Sequence, residues 1–204
     1  YMEESPIKNC YSTCEAATTL SKAGGIVGAH EVGSGLENCY ATGNVSGAYS
    51  GGIAGQARNV ERCVALGQTV TGASSHRVLS EPNGKLNVYA WRSMKVNGKT
   101  VTGGAANNEN GADLVYNGGA LSTQFSEIFA NDDAWTYTEN GLPILKVVKG
   151  EQSSELPSWM LGSETTIYIT TAQQLKQLAD EVNAGDSKSG KTYLLANDID
   201  LSVY

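Results

Sequence analysis

Charge, histidine and phenylalanine are scarce in this 204-residue chain: 17% of its residues are charged, and it holds two histidines and two phenylalanines. So few charges exclude a coiled coil or a charge-rich helical bundle, which draw about half their residues from Ala, Glu, Lys, Leu and Arg. The 14 basic residues form no cluster and are outnumbered by 21 acidic ones, leaving a formal charge of −7. Nucleic acid is therefore a poor partner, because phosphate neutralisation needs a basic stripe. No apolar run approaches the ~18 residues of a spanning helix, so nothing in this chain is expected to cross a membrane. Nothing after Tyr1 reads as a signal peptide, and the expectation is a mature or excised piece of a longer exported protein. Cys10, Cys14, Cys39 and Cys63 contain no Cys-x2-Cys pair, and the distant His30 and His76 do not complete a zinc set. No metal or cofactor is expected.

Glycine is abundant, at 24 residues, and Tyr supplies 10 aromatic rings. A 40% hydrophobic content is too high for a disordered chain. The informative feature is internal repetition. Ile7-Lys-Asn-Cys-Tyr-Ser-Thr13 recurs as Leu36-Glu-Asn-Cys-Tyr-Ala-Thr42, more loosely from Val60 as Val-Glu-Arg-Cys-Val, and again from Leu86 to Trp91. A second element, Gly24-Gly-Ile-Val-Gly28, alternates with the first and returns as Gly51-Gly-Ile-Ala-Gly55 and, degenerately, as His76-Arg-Val-Leu-Ser80. Two short apolar segments per period, joined by Gly, Ser and Asn, are too short for a helical hairpin and fit one coil of a β-solenoid.

In a parallel solenoid each residue stacks on its counterpart ~4.8 Å along the axis, so like sits on like. The expected fold is mainly β: a right-handed parallel β-helix of about four coils, with a C-terminal amphipathic helix and strand as a cap. Cys10, Cys39 and Cys63 are expected to form an inward ladder of buried, free thiols. Ile7, Leu36, Val60 and Leu86 form an aliphatic ladder, and Ile26, Ile53 and Val78 line another inner face. Asn9 over Asn38 is expected as an amide ladder at a left-handed bend. Tyr11 and Tyr40, next to inward cysteines, should point outward as stacked rings.

Three segments follow: residues 1–146 as the solenoid with its closing segment, 147–166 as a linker, and 167–204 as a helix–strand cap. Within the first, Asn97-Gly98 predicts a type I′ hairpin turn, 102–120 a loop, and Phe125, Ile128 and Phe129 one side of a short helical turn. Leu175, Leu178, Ala179 and Val182 give the helical period over 171–184, with Thr170 as N-cap and Gly185 as stop. Tyr193, Leu195, Ile199 and Leu201 alternate as strand. Residues 192–201 are expected to pair with the first coil, in the same chain or a neighbouring copy, which makes self-association through this segment an expectation.

Gly24-Gly-Ile-Val-Gly28 followed by Leu36-Glu-Asn-Cys-Tyr-Ala-Thr-Gly-Asn-Val-Ser-Gly47 resembles the GLUG repeat. That repeat occurs in large bacterial surface proteins, in adhesin-like proteins of gut anaerobes, and beside the catalytic domain of immunoglobulin-A-cleaving metallopeptidases. Trp135 to Leu145 resembles the segment closing such a repeat block, and Thr170 to Ser202 the segment opening the next. The resemblance implies a right-handed β-helix at an extracellular or outer-membrane surface, and it carries no active site.

Candidate chemistry is thin. Asp132-Asp133 reads as a solvated turn rather than an acid–base pair, because neighbours on an extended chain point apart. Asn107 to Asp113 is oxygen-rich but lacks the first and twelfth ligands of a calcium loop. Gly24-Gly-Ile-Val-Gly28 lacks the Lys-Ser/Thr of a phosphate loop, and no catalytic triad suggests itself. The expected function is thus a non-catalytic structural or adhesive surface module contacting a host protein or glycan. The alternative is a carbohydrate-binding module using Tyr11, Tyr40, Tyr49 or Trp91 as platforms, and a β-helix polysaccharide lyase is a distant third.

Overall fold

The computed structural model describes residues 6–30, 35–116, 121–138, 141–160, 166–169, 172–195, 199 and 201. It is a parallel β-solenoid of about four coils, built from short strands that stack from one coil to the next. The register follows the sequence repeat. Ile7 pairs with Leu36, Leu36 with Val60 and Val60 with Leu86. A second ladder runs Tyr11–Tyr40–Val64–Tyr89–Ala112. A third runs Ala16–Val45–Val70–Val96. Parallel coils are favoured because every apolar residue then lands on an apolar residue, and the interior closes around Leu36, Ile53, Val60, Val78, Leu79 and Val88, all buried.

The second repeat element reflects a packing limit. A side chain at Gly51 would place its Cβ 2.3 Å from the Ala54 carbonyl oxygen and 2.4 Å from that of Val78. Only glycine admits the neighbouring coil so closely.

Cys10, Cys39 and Cys63 stack inward as expected and are free. Each thiol donates to the carbonyl two residues before it, at 3.2 Å, 3.2 Å and 3.4 Å respectively. Cys63 is fully buried, and burial pushes its thiol well above the ordinary 9.0; Cys10 shifts the same way for the same first cause. A raised folded-state value means that stability is full while the unfolded thiol keeps its proton and falls as pH rises above it. We expect the urea midpoint to decline from about pH 8 to about pH 10, with Cys10→Ala/Cys63→Ala, which removes the two raised thiols, flattening that decline. An equal decline in the double variant would show that the thiols do not cause it.

The residue before each ladder cysteine is left-handed: Asn9 and Asn38 at φ +53° and Arg62 at +54°. The fourth coil is one residue shorter here, so Cys63 faces Val88 across a register shift. Asn97 and Gly98, both at positive φ, turn the hairpin joining Lys95–Val96 to Lys99–Thr100. Other asparagines bridge coils, as where Asn44 Oδ1 accepts the backbone N–H groups of Gln68 and Thr69.

Helix α1, Leu121–Ile128, buries Leu121 and Phe125 against the coils, with Phe129 following. The 147–166 stretch, read from composition as a linker, is exposed over 147–151 but docked over 152–160. Gln152 brackets the Leu145 backbone, Leu142 N–H donates to Ser154 O at 2.7 Å, and Trp159 Nε1 donates to Leu66 O at 3.0 Å. Met160 is buried. Polar composition concealed these apolar anchors.

The C-terminal part departs from expectation. Thr192–Leu195 pairs in parallel with Thr166–Ile169, not with the first coil, and helix α2, Ala172–Asn183, is the crossover between them. A helix of this length permits a local βαβ unit, which supplies the strand with a partner close in sequence. The helix does not seal the solenoid core: none of its described side chains is buried, and Val182 is exposed. Gly185, at φ +97°, ends it as expected. Thr170, the expected N-cap, lies outside the described residues, as does most of 196–204.

Candidate functional site

The outward side of the Tyr ladder is where polar and aromatic residues converge. Tyr11 and Tyr40 stack with centroids 5.3 Å apart and planes 11° apart, as expected for in-register rings on adjacent coils. They are not a free platform. The segment after the coils lays its own rings over them: Phe125 meets Tyr40 edge-on at 5.6 Å, and Trp135 lies 5.7 Å from Tyr40 and 6.3 Å from Tyr11. Phe129 completes the cluster, 5.2 Å from Trp135 and 5.3 Å from Phe125. The Tyr40 hydroxyl donates to Pro143 O at 2.9 Å, and burial raises its ionisation far above the usual tyrosine range.

The Asn ladder serves the same docking. Trp135 Nε1 donates to Asn9 Oδ1 at 3.0 Å, and Asn38 Nδ2 donates to Asp132 Oδ2 at 2.6 Å. Arg62 Nε donates to Asn38 Oδ1 at 2.8 Å. The expected left-handed bends are present, but the two amides bond the closing segment and Arg62 rather than each other. Asp132 is thereby a docking carboxylate in a turn, since its Oδ1 also accepts the Ala134 N–H at 2.9 Å. Beside it Glu37 bridges Lys8 and Arg62, and those cations hold its carboxyl below the usual range, Lys8 first.

We expect Asn38→Ala to lose about 2 kcal/mol, because it removes two hydrogen bonds and a side chain tolerant of positive φ. Asn38→Gly relieves only the backbone share, so its thermal midpoint should fall between wild type and Asn38→Ala. Equal loss in both variants would show that the bend contributes nothing.

Of the four rings considered as ligand contacts, two are corrected. Tyr40 lies under the closing segment and Trp91 is buried above Leu114, so neither presents a ring face to solvent. Tyr11 is half-covered, whereas Tyr49 is 41% exposed between Lys22 and Ser74 on its rung. His30 and His76 occupy different ladders, aligned with Ala57 and Gly51. Around the Asn-rich loop, Asp113 is held by Arg77 and Asn108 Oδ1 accepts the N–H groups of Ala105 and Asn110.

Two residues escaped the sequence reading. Arg77 is fully buried and holds the 102–113 segment: Nε donates to Asn110 O at 2.8 Å, Nη2 to Gly111 O at 2.7 Å and Nη1 to Asp113 Oδ1 at 2.6 Å. Tyr89 continues the Tyr11–Tyr40 ladder where the aromatic cover ends. It opens onto a cleft of about 220 Å³, lined with Asp113, Leu114, Gln124, Glu127 and Ile128. Ungapped, the repeat alignment from Val60 and Leu86 sets Tyr89 on Cys63, so the one-residue shortening of this coil hid its place on the Tyr40–Val64 rung.

No family model and no curated protein matches the chain. Among solved structures, it is similar to a crystal structure from Bacteroides ovatus described as a candidate immunoglobulin A1 protease, with 28% identity and a TM-score of 0.53. The match covers 73% of this chain and 50% of that one, so the chain spans about half the length of that protein.

Proposed function

We propose that the chain is a non-catalytic structural or adhesive module of a bacterial cell-surface protein of the GLUG-repeat kind, presenting its solenoid to a host protein or glycan. Its place is extracellular or at the outer-membrane surface, within a longer exported protein. The observation that carries this reading is how the ladder groups are used. Tyr11, Tyr40, Asn9, Asn38 and Asp132 fasten the closing segment, so the chain builds a rigid scaffold from residues an active site would need free. A β-helix lyase, by contrast, needs an acidic or calcium cluster with a basic catalytic group on one long face. The rungs Ala17–Ser46–Thr71 and Tyr49–Ser74 offer hydroxyls and small groups. The similarity to the Bacteroides ovatus structure described as a candidate immunoglobulin A1 protease supports a bacterial protein with a host glycoprotein as its counterpart.

The test is to incubate the immobilised chain with host mucosal glycoproteins and immunoglobulin A1. Saturable binding with both proteins left intact is expected. Cleavage of immunoglobulin A1, or turnover of an acidic polysaccharide by this chain, would overturn the reading.

A further inference from the structure

We infer that the cleft at Tyr89 binds the terminal ring of a neutral or amino sugar. The inference rests on the reading of the chain as a contact module, and names its ligand class and site. The geometry comes from the way α1 crosses the Tyr ladder. Phe125 faces Tyr40, while Gln124, Glu127 and Ile128 border the space beside Tyr89. One side of the helix therefore covers the ladder and the other forms a wall of the cleft.

The lining has the parts that sugar recognition needs. Tyr89 supplies a ring for the apolar face of a pyranose, and Leu114 and Ile128 extend that apolar surface. Asp113, Glu127 and Gln124 supply carboxylate and amide groups for hydroxyls. Two of these are fixed by neighbours. Arg77 clamps Asp113 through Oδ1, and Gln124 Nε2 donates to Val115 O at 2.9 Å, so both carry definite orientations before a ligand arrives.

Size and charge narrow the class. At ~30 Å³ per water, the cleft holds the volume of about seven waters. That is below the ~300–1,000 Å³ of pockets for drug-sized ligands, and it suits one ring rather than a chain. Arg77 offsets the Asp113 charge, so it is the Glu127 carboxylate that disfavours sialic and uronic acids and favours a protonated amine on the ring. The cleft thus selects neutral hexoses and, more strongly, hexosamines.

The test uses saturation-transfer NMR and titration of the whole chain with methyl glucoside, glucosamine, glucuronate, sialic acid and butylamine. Glucosamine is expected to bind more tightly than methyl glucoside, with glucuronate and sialic acid silent. Tyr89→Ala should weaken both active ligands about tenfold, on the scale of one lost ring contact. Exposed Glu127→Gln should erase the preference for glucosamine, and Tyr49→Ala should change nothing. Because Tyr89→Ala touches a packed ladder, unchanged circular dichroism and thermal midpoint for Glu127→Gln provide the fold-independent readout. No saturable binding of any sugar, or butylamine binding as tightly as glucosamine, would overturn the inference. Equal capture of host glycoproteins by wild type and Tyr89→Ala would overturn it too, while leaving the contact-module reading intact. Loss of all capture by wild type would instead remove that reading.

Discussion

Trp135→Ala is expected to lower stability by about 3–5 kcal/mol, the usual cost of emptying a buried tryptophan site. Trp135 is 1% exposed, touches Tyr11, Tyr40 and Phe129, and donates to Asn9. Its removal takes away the ring that joins the closing segment to two successive coils. Trp135→Phe keeps most of that packing and loses the indole donor, so it should cost less, with about 1 kcal/mol from the hydrogen bond. Urea unfolding measures both, and limited proteolysis should show the alanine variant cut within 141–160 while the coils resist. A Trp135→Ala protein as stable as wild type would mean that the closing segment is not docked on the Tyr ladder.

The coils were legible in the sequence because stacking makes like residues recur. Cys10, Cys39 and Cys63 mark one inner rung, and Ile7, Leu36, Val60 and Leu86 another, so register follows from alignment alone. The left-handed bends at Asn9 and Asn38 were legible for the same reason. The partners of those side chains were not, because a repeat reports what a position shares with its copies, and the closing segment has no copy. One clue lay in composition: both phenylalanines and two of the three tryptophans fall between residues 125 and 159. Such a concentration outside the repeat signals a docked segment, and it explains why Tyr40 is buried while Tyr49 remains exposed. The C-terminal strand was misassigned because an amphipathic helix followed by a strand fits both a cap and a local βαβ unit. Its partner strand Thr166–Ile169 straddles the boundary drawn between linker (147–166) and cap (167–204), where no strand was expected.

Arg77→Met is expected to cost about 3 kcal/mol, most of it from the buried Gly111 carbonyl and the half-buried Asn110 carbonyl left without their donor, at about 1–3 kcal/mol each. Gly25, Gly52 and Arg77 occupy one ladder position, joined through the backbone bonds Gly25 N–H to Gly52 O and Gly52 N–H to Arg77 O. In the lower coils that position must be glycine, since a Cβ at Gly52 would lie 2.5 Å from Arg77 O. At Arg77 the 102–111 loop takes over from a further coil, and a long side chain fits where glycine was required. The guanidinium then substitutes for that coil by holding the carbonyls of Asn110 and Gly111. The Asp113 ion pair adds less, because its carboxylate is half in water. Arg77→Lys restores a charge but not the fork of donors, so it should recover only part of the loss. Thermal denaturation of both variants checks this. A lysine variant equal to wild type would show that charge alone secures the loop.

The central claim is that the outward tyrosine ladder is an internal docking surface, not a ligand platform. Residue-resolved nitration of the native chain, read by mass spectrometry, tests it most directly. Tyr49, exposed at 41%, should be modified readily, whereas Tyr40, at 0% exposure beneath Phe125 and Trp135, should stay unmodified until the protein unfolds. Modification of Tyr40 in the folded chain as fast as Tyr49 would contradict the account.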